Sequence, residues 1–387
     1  MGEMPVLDAP AAPVSADLDV LRGQIRSFLR EAVVDGVFVP RCDGWHAGWD
    51  ESFSRLLGKH GWVGITLPVA YGGAGLTPLH RHVVSEELVA AGAPVNAHWA
   101  ADRQMGPALL EHGTAEQRDR FLPGIARGEV YFAIGMSEPD SGSDLASVRS
   151  RATKIEGGWR LSGTKLWVTG AHRAQAVLVL VRTRPLDETA RHAGLSQLIV
   201  MADSPGVEIR PIHNLAGDHH FNEVSFDDVF VPDSMLFGAE GEGWAQVTSE
   251  LGFERSGPER YLSTFPLLQH LARYARATGD PRHTSAVGGL IARLWTLRQM
   301  SYAVAVQLAQ RRSAELPAAL VKELGTRYEG DVVEIAREVL AIEPDPDSDD
   351  QGAVLLAQAI QSAPGFTIRG GTNEILQGLV AKGVGVR

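Results

Sequence analysis

The stretch from Gly135 to Gly170 decides the fold of this chain, and it reads GMSEPDSGSDLASVRSRATKIEGGWRLSGTKLWVTG. It opens on a turn-forming segment rich in small hydroxyls, glycine and carboxylates. An alternating run over 147–155, a Glu-Gly-Gly turn and a second run from Trp159 predict two antiparallel strands joined by a hairpin. The stretch ends on Trp167-Val168-Thr169-Gly170, where a flat ring precedes a hydroxyl by two residues. Such a segment can contact a planar ligand, although an ordinary surface hairpin with a core tryptophan has the same composition.

Length, charge and cysteine usage limit the classes of function. A chain of 387 residues suggests two or three domains with a large core. Acidic residues number 47 against 36 basic ones, and the net charge of −11 argues against nucleic acid as a partner. The single cysteine, Cys42, excludes an internal disulfide framework and suits a reducing cytoplasm. No apolar run approaches the roughly 20 residues that span a bilayer, and residues 1–16 indicate a flexible tail without a signal pattern.

Hydrophobic periodicity divides the rest of the chain into three regions. Helical spacing predicts an N-terminal helical domain over 17–128, where Thr114-Ala115-Glu116-Gln117 is a capping box. The period changes to two over 129–238, which predicts a compact β-domain of short strands. Helical periodicity returns over 239–387, interrupted by an acidic, proline-broken linker at 343–350, and a last helix begins near Asn373.

Two histidine groups, His219-His220 and His80-Arg81-His82, invite a metal hypothesis. Neither group has a third ligand at a typical spacing, so solvated or hydrogen-bonded histidine is the favoured interpretation and no metal is expected. The glycines of Tyr71-Gly72-Gly73 are not followed by Lys-Ser/Thr, which disfavours a phosphate loop.

The fixed residues of several motifs resemble the acyl-CoA dehydrogenase family. The motifs are Gly135-Met136-Ser137-Glu138, Ser141-Gly142-Ser143-Asp144, Trp167-Val168-Thr169, Phe221-Asn222-Glu223-Val224 and Gly370-Gly371-Thr372-Asn373-Glu374-Ile375. The resemblance implies an α+β multidomain fold with an N-terminal helical domain, a middle β-barrel-like domain and a C-terminal four-helix bundle. It also implies FAD, an acyl thioester carried by CoA or by an acyl carrier protein, and dehydrogenation to the trans-2-enoyl thioester. An electron-transferring flavoprotein as acceptor and a homodimer or homotetramer are the implied partners.

The family chemistry requires a base for the α-proton and a donor for the enolate oxygen. Many members carry the base as a glutamate just before the C-terminal Gly-Thr, where this chain has Gly370. The subgroup that includes isovaleryl-CoA dehydrogenase carries it on the helix after the β-domain, which implies Glu254 here. Glu250 lies one turn earlier on the same face and is the substitute candidate, because spacing alone does not choose between them. The backbone N–H of Gly370 remains available for the thioester carbonyl.

The resemblance also assigns ligand contacts. Met136, Ser137, Trp167 and Thr169 match contacts near the flavin ring, and Thr372 and Glu374 match contacts further along the cofactor. Ser143 matches a residue beside the pantetheine part of the substrate. Arg255 is either a local cation beside the base or a surface arginine.

Two departures from the family pattern bear on the cofactor. The Arg-x-x-Phe-Gly segment that reaches the FAD of a neighbouring subunit is missing around 274–280, and 361–365 resembles a contracted glycine loop. Weak FAD retention or an altered oligomer is therefore an open alternative. So are two other functions, a flavin-dependent oxygenase or oxidase on the same scaffold and a non-catalytic partner subunit.

Overall fold

The structure is a computed structural model that describes residues 15–255 and 257–386, without the side chains of residues 249–254. The chain forms two compact units, which we call the helical unit and the sheet unit. The helical unit is built from the described residues of Met1–Trp49, Leu76–Val95 and Gly252–Arg387, and the sheet unit comprises Asp50–Gly75 and Asn96–Leu251. The predicted division into three consecutive domains stays a prediction, and residues 1–14 of the predicted tail lie outside the described residues.

The helices and strands follow the predicted order of helical, β and helical regions. The helices are α1 (Ala16–Val34), α2 (Gly44–Ala47), α3 (Glu51–Lys59), α4 (Pro78–Ala90), α5 (Asn96–Ala100), α6 (Gly106–His112), α7 (Ala115–Ala126), α8 (Gly243–Glu254), α9 (Phe265–Thr278), α10 (Pro281–Ala309), α11 (Glu315–Val339), α12 (Gln351–Phe366) and α13 (Asn373–Gly383). The strands are β1 (Phe132–Gly135), β2 (Arg151–Ile155), β3 (Gly158–Lys165), β4 (Ala176–Arg182), β5 (Leu195–Met201), β6 (Val207–His213), β7 (His219–Pro232) and β8 (Leu236–Phe237).

The predicted hairpin is confirmed as the antiparallel pair β2 and β3, in which Ile155 pairs with Gly158. The strands form a sheet in the order β6-β7-β3-β2-β4-β5-β8, and β1 pairs with β4 in parallel. Strand β4 is buried along its whole length, which explains its continuous apolar sequence. This arrangement places the ends of β1 and β3, with the motifs that follow them, in one sheet.

The prediction of a barrel-like β-domain is wrong in one respect, because the sheet is open. Within the described part of the chain, β6 pairs only with β7, and β8 pairs only with β5. Strand β8 has two residues, which is too short to continue the sheet toward β6.

The helical unit contains the long helices α10 and α11 and the capped helix α13 predicted near Asn373. The linker at 343–350 has neither helix nor strand, as its composition predicts. The prediction of a contracted glycine loop over 361–365 is wrong, because these residues belong to α12. Leu355, Leu356 and Phe366 are buried, and this packing outweighs the breaking tendency of Pro364. None of the described helices is long and apolar enough to span a membrane.

Candidate active site

Trp167 has an unusual backbone and an accessible ring. Its φ of 60° lies in the left-handed region, which is uncommon for a residue with a large side chain. Trp167 is 55% exposed, and its ring packs edge-to-face on Phe221 with ring centroids 5.8 Å apart. Strained backbone that presents an aromatic ring is typical of ligand sites.

The segment that carries Trp167 is held to strand β7 by Asn222. The Val168 N–H donates to the Asn222 carbonyl at 3.0 Å, and Asn222 Nδ2 donates to the Val168 carbonyl at 2.9 Å. The Gly170 N–H donates to the carbonyl of His220 at 2.7 Å. Asn222 is fully buried, so the sheet determines the position of the Trp167 ring.

The structure brings Met136 and Ser137 to the same place. The Leu166 N–H donates to the Ser137 carbonyl at 2.9 Å, and Lys165 Nζ donates to the Met136 carbonyl at 3.0 Å. The predicted flavin contacts of the sheet unit, including the half-buried Thr169, thus lie on two adjoining segments.

The turn after Ser137 is closed by the carboxylate of Glu138. This carboxylate accepts hydrogen bonds from the Arg149 and Ser150 N–H groups at 2.6 and 2.9 Å. Ser143, the predicted pantetheine neighbour, is exposed on this turn.

Sequence reasoning missed Lys165 and its hydrogen bond to the Met136 carbonyl. The alternation of Trp159, Leu161 and Lys165 was the available signal, because it places a charge on the inward face of β3.

The histidines considered as metal ligands form hydrogen bonds and ring contacts within the protein. His219 bonds to Asn222 at 2.8 Å and stacks on His172 with ring centroids 3.9 Å apart. His80 bonds to Thr77 and Asp17. Among the described residues, no group of three or more His, Cys, Asp or Glu is placed to hold a metal ion.

The helical unit contains the other predicted site residues. Glu254 ends α8, but its side chain and that of Glu250 lie outside the described residues. Arg255 is only 6% exposed, so the alternative of a surface arginine is wrong. Its Nη2 lies 3.4 Å from the position that a Cβ on Gly371 would occupy. Arg255 therefore packs against the turn at Gly370-Gly371, which we call the glycine turn.

The glycine turn requires its glycines and is anchored by Lys322. Gly370 and Gly371 have φ values of 70° and 85°, which favour glycine. Lys322, fully buried on α11, donates to the Gly371 and Thr367 carbonyls at 2.7 and 3.2 Å and to Asn373 Oδ1 at 2.7 Å. Thr372 caps α13 by accepting from the Ile375 N–H at 3.4 Å, and Glu374 is exposed in its first turn. Backbone N–H groups at such a terminus suit a phosphate.

A buried ion pair holds the residue before the glycine turn. Arg369 donates to both carboxylate oxygens of Asp43 at 2.8 Å and lies over the Trp45 ring, 4.6 Å from its centroid. Burial favours the protonated form of Asp43, but Arg369 and His46 outweigh burial and lower the pKa of Asp43. The turn is thus fixed from both sides by charged groups that sequence reasoning missed.

Comparison with known proteins gives the family. The acyl-CoA dehydrogenase N-terminal domain model matches residues 15–129, and the middle domain model matches residues 133–229. The chain is 34% identical over 390 residues to acyl-CoA dehydrogenase IpdE1 of Mycobacterium tuberculosis, covering 95% of this chain and 97% of that protein. This chain belongs to the acyl-CoA dehydrogenase family.

Solved structures agree with this acyl-CoA dehydrogenase assignment. The chain resembles the Tcur3481-Tcur3483 steroid ACAD with a TM-score of 0.83 and 28% identity, covering 96% of this chain and 98% of that one. It resembles a chain of the ChsE4-ChsE5 complex from Mycobacterium tuberculosis with a TM-score of 0.80 and 25% identity, again covering 96% and 98%.

Acyl-CoA dehydrogenases are FAD-dependent flavoproteins, and this one is an oxidoreductase that dehydrogenates an acyl-CoA. The residues of the sheet unit fit a flavin. Trp167 presents an exposed ring for a planar ligand, and the half-buried Thr169 hydroxyl lies two residues away on a segment fixed by Asn222. Within the helical unit, Thr372 is the N-cap of α13.

Proposed function

We propose that this acyl-CoA dehydrogenase acts on a bulky, ring-bearing acyl-CoA and uses Glu254 as the base that removes the α-proton. The observation that carries the base assignment is the backbone at Gly370. This position has no carboxylate, and its φ of 70° is unfavourable for any residue with a Cβ. The base must therefore come from another element.

Glu254 is the carboxylate that the surrounding geometry supports. It precedes Arg255, whose buried guanidinium packs against Gly371 of the glycine turn. An α-proton beside a thioester is weakly acidic, so its removal requires a base in dry surroundings and a donor for the enolate oxygen. The Gly370 N–H is our candidate donor.

The chain's other residues hold and orient the cofactor. FAD, when bound, accepts the hydride from the β-carbon of the substrate. Met136, Ser137, Trp167 and Thr169 would hold its ring system, and Thr372 with Glu374 would contact the part nearer the phosphates. Ser143 would border the pantetheine chain from its exposed turn.

The substrate class rests on two supports. A base on the helix after the β-domain goes with branched, cyclic or otherwise bulky acyl groups in the family subgroup that this sequence resembles. The 28% identity with the Tcur3481-Tcur3483 steroid ACAD over nearly the whole chain supports a ring-bearing acyl group. CoA is the proposed carrier.

A panel of thioesters tests this proposal. Octanoyl-CoA, isovaleryl-CoA and the CoA ester of a steroid carboxylic acid are mixed with FAD-loaded protein without oxygen, and loss of flavin absorbance is followed. We expect the steroid thioester to bleach the flavin at least about tenfold faster than octanoyl-CoA. Faster bleaching by octanoyl-CoA would contradict the substrate class. Bleaching by reduced nicotinamide alone would favour the oxygenase alternative instead.

The same proposal includes partners and compartment. An electron-transferring flavoprotein would reoxidise the flavin, and the protein would work as an oligomer. The resemblance to a chain of the ChsE4-ChsE5 complex supports an assembled form. The reducing cytoplasm is the proposed compartment, supported by a lone cysteine, Cys42, that is fully buried.

A further inference from the structure

A buried ion pair lies within the sheet unit beside the two segments assigned to FAD. The Lys165 side chain is fully buried, and its Nζ lies 2.8 Å from Glu138 Oε1. Burial lowers the pKa of Lys165 to about 8, with Glu138 opposing it. Burial alone would raise the pKa of Glu138, but Lys165 and the hydrogen bonds at Ser150 and Arg149 lower it. The short Nζ–Oε1 distance and the lowered pKa of Glu138 are those of an ion pair.

Lys165 connects the two segments directly. Its Nζ donates a second hydrogen bond to the Met136 carbonyl at 3.0 Å. The next residue, Leu166, donates its N–H to the Ser137 carbonyl at 2.9 Å and leads into Trp167. The side chain of Lys165 passes over Gly135, where an added Cβ would lie 3.2 Å from Lys165 Cγ. Gly135 thus leaves room for the lysine stem.

Glu138 extends the same network to the turn that carries Ser143. Its two carboxylate oxygens accept the N–H groups of Arg149 and Ser150 while Oε1 also accepts from Lys165. The Glu138 N–H donates to the Ser141 carbonyl at 2.7 Å. One ion pair thereby links the end of β1, the end of β3 and the start of β2.

Stability alone is a poor reason for such a pair. Removing two charges from water costs free energy, and buried ion pairs are often replaced by apolar residues without loss of stability. A buried pair whose further hydrogen bonds go to backbone groups on separate segments fixes the positions of those segments. The groups fixed here belong to the segments with the predicted flavin contacts Met136, Ser137, Trp167 and Thr169.

We infer that Lys165 and Glu138 are positioning residues that hold Met136–Ser137 and Trp167–Thr169 in the arrangement that binds FAD, an inference that rests on the proposed contacts of these segments with the cofactor. Without the pair, β1 and β3 still belong to the sheet and the Leu166–Ser137 hydrogen bond remains, but the side-chain link between the ends of the two strands is lost. We therefore expect the variants to lose more free energy of FAD binding than free energy of unfolding of the apoprotein.

The test compares variants of the full chain. Lys165→Met removes the charge and its donors, Glu138→Gln removes the opposite charge, and the double variant restores neutrality. Lys154→Met is the matched control, because Lys154 lies on β2 of the same sheet, is exposed and pairs with Asp233. FAD affinity by equilibrium titration, visible circular dichroism of the bound flavin and thermal unfolding of the apoprotein are measured for each.

We expect each single variant to weaken FAD binding at least tenfold and to change the flavin dichroism, and the double variant to bind no worse than the weaker single one. Lys154→Met should match the wild type. Wild-type FAD affinity and dichroism in Lys165→Met would overturn the inference, and so would losses in affinity that only parallel losses in apoprotein stability. If Lys165→Met does not fold, the same measurements are made on the neutral double variant, and wild-type FAD affinity and dichroism there would overturn the inference.

Two further measurements separate this inference from the proposed contacts. Trp167→Ala should lower FAD affinity, with Trp295→Ala, an exposed tryptophan of α10, as control. If Trp167→Ala and the wild type bind FAD equally, the contact assignment fails. If Trp167→Ala weakens binding and Lys165→Met does not, only the positioning role fails.

Discussion

At the scale of single residues, the position of Glu254 can be tested against that of Glu250. Glu254→Gln is isosteric but cannot accept the α-proton. We expect flavin reduction by the acyl-CoA substrate to slow by at least about 10²-fold, the effect typical of losing a general base. FAD content should not change. Rapid anaerobic mixing measures the rate, with Glu250→Gln as control; a slow Glu250→Gln and a normal Glu254→Gln would transfer the role.

Glu329 is a buried carboxyl with an unusual proton affinity. Its Oε1 accepts from the Ser263 N–H at 2.7 Å, and Oε2 is buried without a hydrogen bond to any described residue. Burial raises the pKa of Glu329 from 4.5 to about 7, against the influence of Arg369. Between these values the folded protein holds more protons than the unfolded chain, so the free energy of unfolding falls as the pH rises through this window.

Glu329→Gln should remove that pH dependence. A shift from 4.5 to about 7 corresponds to about 3 kcal/mol, so we expect the variant to be more stable than the wild type at pH 8 by up to that amount. The difference should shrink at pH 5. Urea unfolding of the apoprotein at both pH values measures it, with the exposed Glu334→Gln on the same helix as control. A variant that keeps the wild-type pH dependence would contradict the assignment.

At the scale of elements, α11 supports the glycine turn through Lys322. Lys322→Met leaves the Gly371 and Thr367 carbonyls and the Asn373 side chain without their charged donor. The Thr367 carbonyl keeps the Asn373 N–H and Asn373 Oδ1 keeps the Thr326 hydroxyl, so the Gly371 carbonyl is the acceptor that loses its described donor. An unsatisfied polar group of this kind costs about 1–3 kcal/mol. We therefore expect faster amide hydrogen exchange over 367–373 and a lower kcat. Hydrogen exchange followed by mass spectrometry checks this, with the exposed Arg337→Met as control. Unchanged exchange over 367–373 would show that the conformation of the turn does not depend on Lys322.

Local patterns predicted most elements of this protein. The alternation around the Glu156-Gly157 turn gave the β2–β3 hairpin, and the Thr114 capping box gave the start of α7. The hairpin and the helix start are both formed by residues close together in the sequence, so their spacing is enough to predict them. Helix α12 was missed because Pro364-Gly365 favours a loop locally, whereas burial of Phe366 decides the outcome in the folded unit.

The candidate site was predictable only in part. Motif resemblance located Trp167, Met136 and the glycine turn, but it said nothing of the charged residues that fix them. Asp43 and Arg369 are separated by 326 positions, and no local pattern pairs residues so far apart. Lys165 and Lys322 carried a weaker signal, a charge at an inward position of a strand or helix.

At the scale of the whole molecule, the missing Arg-x-x-Phe-Gly segment should affect cofactor retention. The corresponding region ends α9 and continues into Gly279 and Asp280, which caps α10. We expect the chain purified alone to be an oligomer that holds less than one FAD per chain after dialysis, restored by excess FAD through mass action. Light scattering and flavin absorbance measure both. A monomer, or full retention of FAD, would contradict this expectation.

The helical unit draws on the first and the last parts of the chain, and this order has a consequence for biosynthesis. The sheet unit is completely translated once Leu251 has been made. Arg369 follows Asp43 by 326 residues, so the ribosome needs roughly 16–65 s after Asp43 to make its ion-pair partner. Helix α1 packs mainly against α4, which follows it soon in the chain, whereas α4 also packs against α9 and α10, which are made only after Leu251. Nascent chains should therefore gain protease resistance in the sheet unit before α1 and α4, and α4 is where we expect a holding chaperone to act.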